Sequence, residues 1–155
     1  MNTGGYDQVQ LAIASHFAPE RVHAYSKYPA GIDGVSPQAF FVEPAEPRFT
    51  GPVTLVTSGF TVSAAETFTM AMRALPNVTH RGTRTNGALS DMLEKRLPNG
   101  WMLTMSNEVY LDPAGNHWEK LGIPPEIEVP LFDPETLDES HAWAILGISD
   151  AMRME

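Results

Sequence analysis

Residues 53 to 76 constrain the fold most. Val53-Thr54-Leu55-Val56-Thr57 is a short run of strand formers, and its length and composition predict a buried strand. Ser58-Gly59-Phe60-Thr61 turns it. Ala64, Phe68, Ala71, Met72 and Leu75 then recur at helical spacing until Pro76 ends the pattern. A strand that turns directly into an apolar helix predicts an α/β layer arrangement. Ser63 stands at the junction, on the positive end of a helix dipole. Nucleophilic serines occupy such places because the first-turn amides can stabilise an oxyanion. Ser63-Ala64-Ala65-Glu66 is equally a capping box, in which serine and glutamate satisfy each other's amides. Taken alone, the tetrapeptide leaves both readings open.

Composition removes several classes of function. The chain has 155 residues, about one domain, and a net charge of −9. That balance offers no basic stripe for nucleic acid and no attraction to anionic lipid. With no cysteine, disulfides, thiolate catalysis and zinc–thiolate sites are excluded. No apolar run reaches the length of a membrane span, and the N-terminus lacks a signal-peptide layout. No His-x-x-x-His or carboxylate cluster has metal-ligand spacing.

Along the chain, Asn2-Thr3-Gly4-Gly5 opens onto a helical pattern with Tyr6, Val9, Ile13 and Phe17 on one face. Paired glycines at a helix start usually follow a strand, so the chain reads as beginning inside a domain. Residues 25 to 52 are punctuated by proline and read as a crossover with one strand, Ala39-Phe40-Phe41-Val42. Val78-Thr79-His80-Arg81 predicts a second parallel strand, followed by the loop Gly82-Thr83-Arg84-Thr85-Asn86-Gly87. A hairpin over about residues 95–110 is predicted, with Pro98-Asn99-Gly100 as its turn and a strand from Trp101 to Tyr110. Asp112-Pro113-Ala114-Gly115 fits a type I turn, and Ile127-Glu128-Val129 a last strand. Leu137, His141, Ala144, Ile145, Ile148 and Met152 form a helical stripe, with Thr136 and Glu139 as a second candidate capping box.

In order, these segments resemble the carboxyl-terminal processing (tail-specific) serine peptidases. The likeness is to their tricorn-core and interphotoreceptor-retinoid-binding-protein-like branch. It is carried by Gly51-Pro52-Val53 to Thr57, Thr61-Val62-Ser63-Ala64-Ala65-Glu66, Asn2-Thr3-Gly4-Gly5, the 82–87 loop and Leu97-Pro98-Asn99-Gly100. The tail Tyr110-Leu111-Asp112-Pro113-Ala114-Gly115 with Gly122 to Ile127 completes the series. No single motif is specific, but the series covers residues 2 to 132.

The resemblance implies a ClpP/crotonase-like α/β sandwich, with a mostly parallel sheet, flanking helices and a β-hairpin. Residues 1–155 would be a single catalytic domain, truncated on its N-terminal side. Ser63 would attack a peptide carbonyl and form an acyl-enzyme. The amide of Ala64 and that of Gly4 or Gly5 would form the oxyanion hole. The expected partner is a peptide or unfolded protein. No cofactor or metal is called for, and a homo-oligomer stays open. Family members are often exported.

The base is where the sequence departs from the pattern. Many members place a lysine directly after the glycine of the Thr-x-Gly loop, but Thr85-Asn86-Gly87 is followed by Ala88. Lys95 lies outside the motif. The tricorn-like branch uses histidine and glutamate instead. Glu108 matches its glutamate, while its histidine would lie upstream of Gly4. Of the histidines here, His80 is the nearest substitute. His16 reads as a helix residue, and His23, His117 and His141 have no motif context. Two alternatives stand beside the peptidase. One is a non-catalytic homologue or fragment that binds peptide by strand addition. The other is a crotonase-type enzyme acting on a thioester, which the Ser63 environment and the missing basic patch disfavour.

Overall fold

The computed structural model describes residues 2–129. In chain order the elements are α1 (Asp7–Ser15), β1 (Val22–Pro29), β2 (Gln38–Val42), β3 (Val53–Thr57) and α2 (Ala64–Arg73), then β4 (Val78–Gly82), β5 (Met92–Arg96), β6 (Met102–Ser106), β7 (Glu108–Leu111) and β8 (Ile127–Glu128). The C-terminal stripe and the Thr136 capping box lie outside the described residues.

The expected parallel sheet is present, ordered β3-β4-β8. Val53 pairs with Val78 and Thr57 with Gly82. A second, antiparallel sheet has the order β2-β1-β7, and among the described residues β5 and β6 pair only with each other. The crossover reading of residues 25–52 therefore missed β1. Its prolines punctuate strand ends rather than a loop, with Pro29 closing β1 opposite Glu108. Polar Ser26 and Lys27 also interrupt what would otherwise read as an apolar run.

Helix α2 packs against β1 of one sheet and β3 and β4 of the other. Eight of its ten residues are buried, as expected of a helix enclosed between layers. Thr67 and Thr69 are tolerated there because each hydroxyl donates to a preceding carbonyl, Ala64 O at 3.1 Å and Ala65 O at 2.8 Å. Met70, Met72, Tyr25, Tyr110, Val42 and Ile123 share the core, with Tyr25 stacked on Phe40 at 4.9 Å between ring centroids.

Two turns match their sequence signatures. The Gly100 amide donates to Leu97 O at 2.9 Å, and the Gly115 amide to Asp112 O at 2.9 Å. The predicted Trp101–Tyr110 strand is instead broken at Asn107. Its first part, β6, belongs to the hairpin and its second, β7, to the antiparallel sheet. The Ser90 hydroxyl causes the break by accepting both the Asn107 and Glu108 amides, each at 3.1 Å.

His80, in the middle of β4, has no exposed surface. Thr57 Oγ1 donates its one proton to Thr83 O at 2.8 Å. It must therefore accept from His80 Nε2–H, 2.7 Å away. Nδ1 is then an unprotonated acceptor with no partner among the described residues. Burial, helped by the charge of Arg73, lowers the His80 pKa from 6.5 to about 4. Between these values the unfolded chain binds a proton that the folded chain does not. Stability is therefore full above pH 6.5 and falls as the pH drops toward 4, by about 3 kcal/mol at most. Urea midpoints measured across this range should show that slope in the native chain and lose most of it in His80→Gln. Equal slopes would refute the assignment.

Candidate active site

Ser63 is the N-cap of α2 and holds φ 61° and ψ −131°. Such a backbone costs a non-glycine residue about 1–3 kcal/mol and persists only where its surroundings impose it. Two acceptors impose it here. The Ser63 amide donates to Ala88 O at 2.9 Å and to Glu66 Oε2 at 3.2 Å. The second bond is the returning arm of the expected capping box.

Glu66 does more than cap. It is fully buried and also accepts from Thr85 Oγ1 at 2.7 Å, the Gly87 amide at 2.7 Å and the Ala88 amide at 2.9 Å. With the Ser63 amide, that makes four donors on one carboxylate. The 85–88 loop is thereby fastened to the first turn of α2.

The Gly4-Gly5 loop meets the serine from the other side. A β-carbon on Gly4 would lie 2.8 Å from Ser63 Cβ and 3.2 Å from Ser63 Oγ, and Gly4 has φ +107°. Only glycine fits this approach. The Gly4 amide is occupied by Asn2 Oδ1 at 3.1 Å. The Gly5 amide and that of Ala64, the first helical residue, have no acceptor among the described residues.

Beside this junction lies a pocket of about 200 Å³, lined by Gly5, Tyr6, Val9, Ile13, Ala64 and Phe68 among others. The apolar stripe expected to bury α1 is therefore largely exposed, Tyr6 at 82%, Val9 at 54% and Ile13 at 49%. It walls the pocket, and α1 buries Gln10, Ala14 and Ser15 instead.

Glu108 faces the helical layer together with residues that the sequence did not single out. β1 and β7 pair Lys27 with Tyr110 and Pro29 with Glu108, so strand alternation puts Lys27, Tyr110 and Glu108 on one face. Lys27 Nζ reaches Glu108 Oε2 at 2.9 Å, Asp91 Oδ2 at 3.1 Å and Asp7 Oδ2 at 4.0 Å. Tyr110 Oη donates to the same Glu108 oxygen at 3.1 Å. Thr67 Oγ1, one turn beyond Ser63, also lies 3.0 Å from Asp7 Oδ1, so its one proton is shared between that carboxylate and Ala64 O. Burial alone would lower the Lys27 pKa, but its bonds to Glu108 and Asp91 raise it. Lys27 is thus held as a cation and is a poor proton acceptor. No local motif marks this cluster, because its members are spread from residue 7 to residue 110.

The histidines are placed elsewhere. His80 is bonded to Thr57 as described. His16 Nδ1 lies 2.8 Å from Pro47 O and His23 Nε2 lies 2.9 Å from Ser26 Oγ. His117 is exposed in the loop after Gly115, and His141 is outside the described residues. Lys95 is exposed on the hairpin. Among the described residues, no histidine or lysine is hydrogen-bonded to Ser63.

The model of peptidase family S41 matches residues 1–129. The chain belongs to peptidase family S41. Several solved structures resemble this S41 chain. A candidate peptidase from Parabacteroides merdae has a TM-score of 0.77 at 30% identity, over 95% of this chain and 49% of that one. Mature CPAF in complex with lactacystin has a TM-score of 0.80 at 13% identity, over 99% and 42%. The photosystem II D1 C-terminal processing protease has a TM-score of 0.69 at 19% identity, over 88% and 35%. The last two likenesses show the fold. The chain spans half or less of the length of each. No curated protein matches it.

Glu66→Gln keeps the shape of the side chain but points an N–H₂ group at a cluster of donors. Urea unfolding should show a loss of about 3 kcal/mol. A loss within experimental error would mean that the carboxylate is not what fastens the loop.

Proposed function

We propose that this S41 chain is the nucleophile-bearing part of a serine peptidase, acting on peptide or unfolded protein. The observation that carries the reading is the strained backbone of Ser63, packed against Gly4 at a strand-to-helix junction. Strain of this kind marks functional positions. In the proposed reaction Ser63 Oγ attacks the scissile carbonyl and loses its proton to a base. The C–N bond breaks, the amine leaves protonated, and water hydrolyses the acyl-enzyme. The amides of Gly5 and Ala64 stabilise the oxyanion, with Gly4 providing the close approach. The apolar pocket beside them receives a side chain next to the scissile bond.

Glu108 is proposed to orient the imidazole that the tricorn-like pattern places upstream. Its Oε2 is held by Lys27 and Tyr110, and Oε1 has no bond to a described residue. Ala88 in place of the dyad lysine favours a second reading, a peptide-binding homologue or inactive fragment. Both readings agree on one outcome: the chain alone should have little or no peptidase activity, since losing the base costs orders of magnitude in rate.

They differ in covalent reactivity. A fluorophosphonate probe should label the native chain at Ser63, slowly, and should not label Ser63→Ala. No labelling of a folded chain would leave the binding reading in place. Robust cleavage of an unfolded protein, abolished by Ser63→Ala, would reveal a base among the residues present.

A further inference from the structure

The β5–β6 hairpin is the least supported part of the described chain. None of its residues belongs to the core cluster, and every strand residue is exposed. Met92, Leu93, Trp101, Met102, Leu103 and Met105 are each at least 37% exposed. Two strands alone are marginal in water, and a third or fourth strand is what normally stabilises them. Both outer edges are unpaired among the described residues, and such edges are templates for strand addition.

The β5 edge carries its own pairing code. The Leu97 amide donates to Trp101 O at 2.8 Å, which marks 97 and 101 as a bonded pair. Antiparallel alternation then turns Leu93 and Lys95 toward β6 and Met92, Glu94 and Arg96 outward. A two-fold axis through Lys95 sets outward Glu94 against outward Arg96 of a second copy, and the reverse. This register closes four backbone hydrogen bonds and forms two opposite-charge cross-strand pairs. It also sets Leu93 of each copy beside Leu97 of the other. Shifting the axis to Glu94 opposes two glutamates. Shifting it to Arg96 opposes two arginines. Among the described residues, Glu94, Lys95 and Arg96 have no ion-pair partner of their own. Lys95 facing its own copy keeps the contact weak.

We propose that the β5 edge is a self-association surface, on which a second copy of this chain pairs antiparallel about Lys95 to make a four-stranded sheet. A charge swap in the full chain tests this, with circular dichroism checking that each variant is folded. Sedimentation over the micromolar range should show a monomer–dimer equilibrium for the native chain. Glu94→Arg and Arg96→Glu should each weaken it by about tenfold or more, because each opposes like charges twice. The double swap Glu94→Arg/Arg96→Glu should restore it. A dimer unaffected by the single swaps would place the contact elsewhere, at β6 or another face, and overturn the proposal. So would a chain that stays monomeric, including one whose β5 amides are protected from exchange only when an extended peptide is added.

Discussion

One buried carboxylate holds the candidate site together. Glu66 is fully buried, so its charge is tolerable only because four donors surround it. Those donors come from two places, the Ser63 amide at the helix start and the 85–88 loop beyond β4. Thr85 extends the network, since its hydroxyl also accepts the Ile123 amide at 2.6 Å. The strained Ser63 backbone follows from this arrangement. With its amide fixed by Glu66 and Ala88, and Gly4 against its side chain, the residue has little room to relax. Capping the helix and presenting the Ser63 hydroxyl are therefore not competing readings of Ser-x-x-Glu. The glutamate that caps the helix is also the group that aims the serine.

The site contains two kinds of polar cluster, one buried and one half-buried, and they differ in consequence. Around Glu66, donors and charge are matched. Around Lys27, three carboxylates from three parts of the chain share one ammonium. Burial, with the charge of Asp91 adding to it, raises the Asp7 pKa, and burial with the neighbouring carboxylates also raises those of Tyr25 and Tyr110. The surplus of negative charge lies on the face toward α2, where it favours a cation. Lys27 is already consumed as one. The cluster therefore suits a role in holding Glu108 and has little capacity to accept the serine proton.

Legibility in the sequence followed the range of the interactions. β3, α2, β4 and the two turns are set by residues within a few positions of each other, and periodicity and turn chemistry revealed them. β1 was hidden because Ser26 and Lys27 look out of place until Asp7, Asp91 and Glu108 are brought beside them. The apolar stripe of α1 was seen, but its destination was not. Periodicity identifies an apolar face without saying whether a core or a pocket covers it. The hairpin turn was readable from Pro98-Asn99-Gly100, whereas the break at Asn107 depends on the hydroxyl of Ser90, seventeen residues away. The segments around Ser63 were legible as those of the S41 family because their order along the chain carried the information.

Position 88 shows how the placement of Ser63 is separate from any reactivity of its hydroxyl. The Ala88 amide donates to Glu66 and its carbonyl accepts from Ser63, so its backbone is fully committed to holding the serine in place. Its side chain is exposed and carries none of that load. A change of residue there, to anything but proline, leaves these backbone bonds and the Gly4 contact as they are. The fold thus preserves the serine's placement by backbone bonds that any non-proline residue can make. Any reactivity would depend on a side chain acting as base, which the fold does not require. A well-formed Ser63 is accordingly strong evidence for the architecture and weak evidence for turnover, and the two must be measured separately.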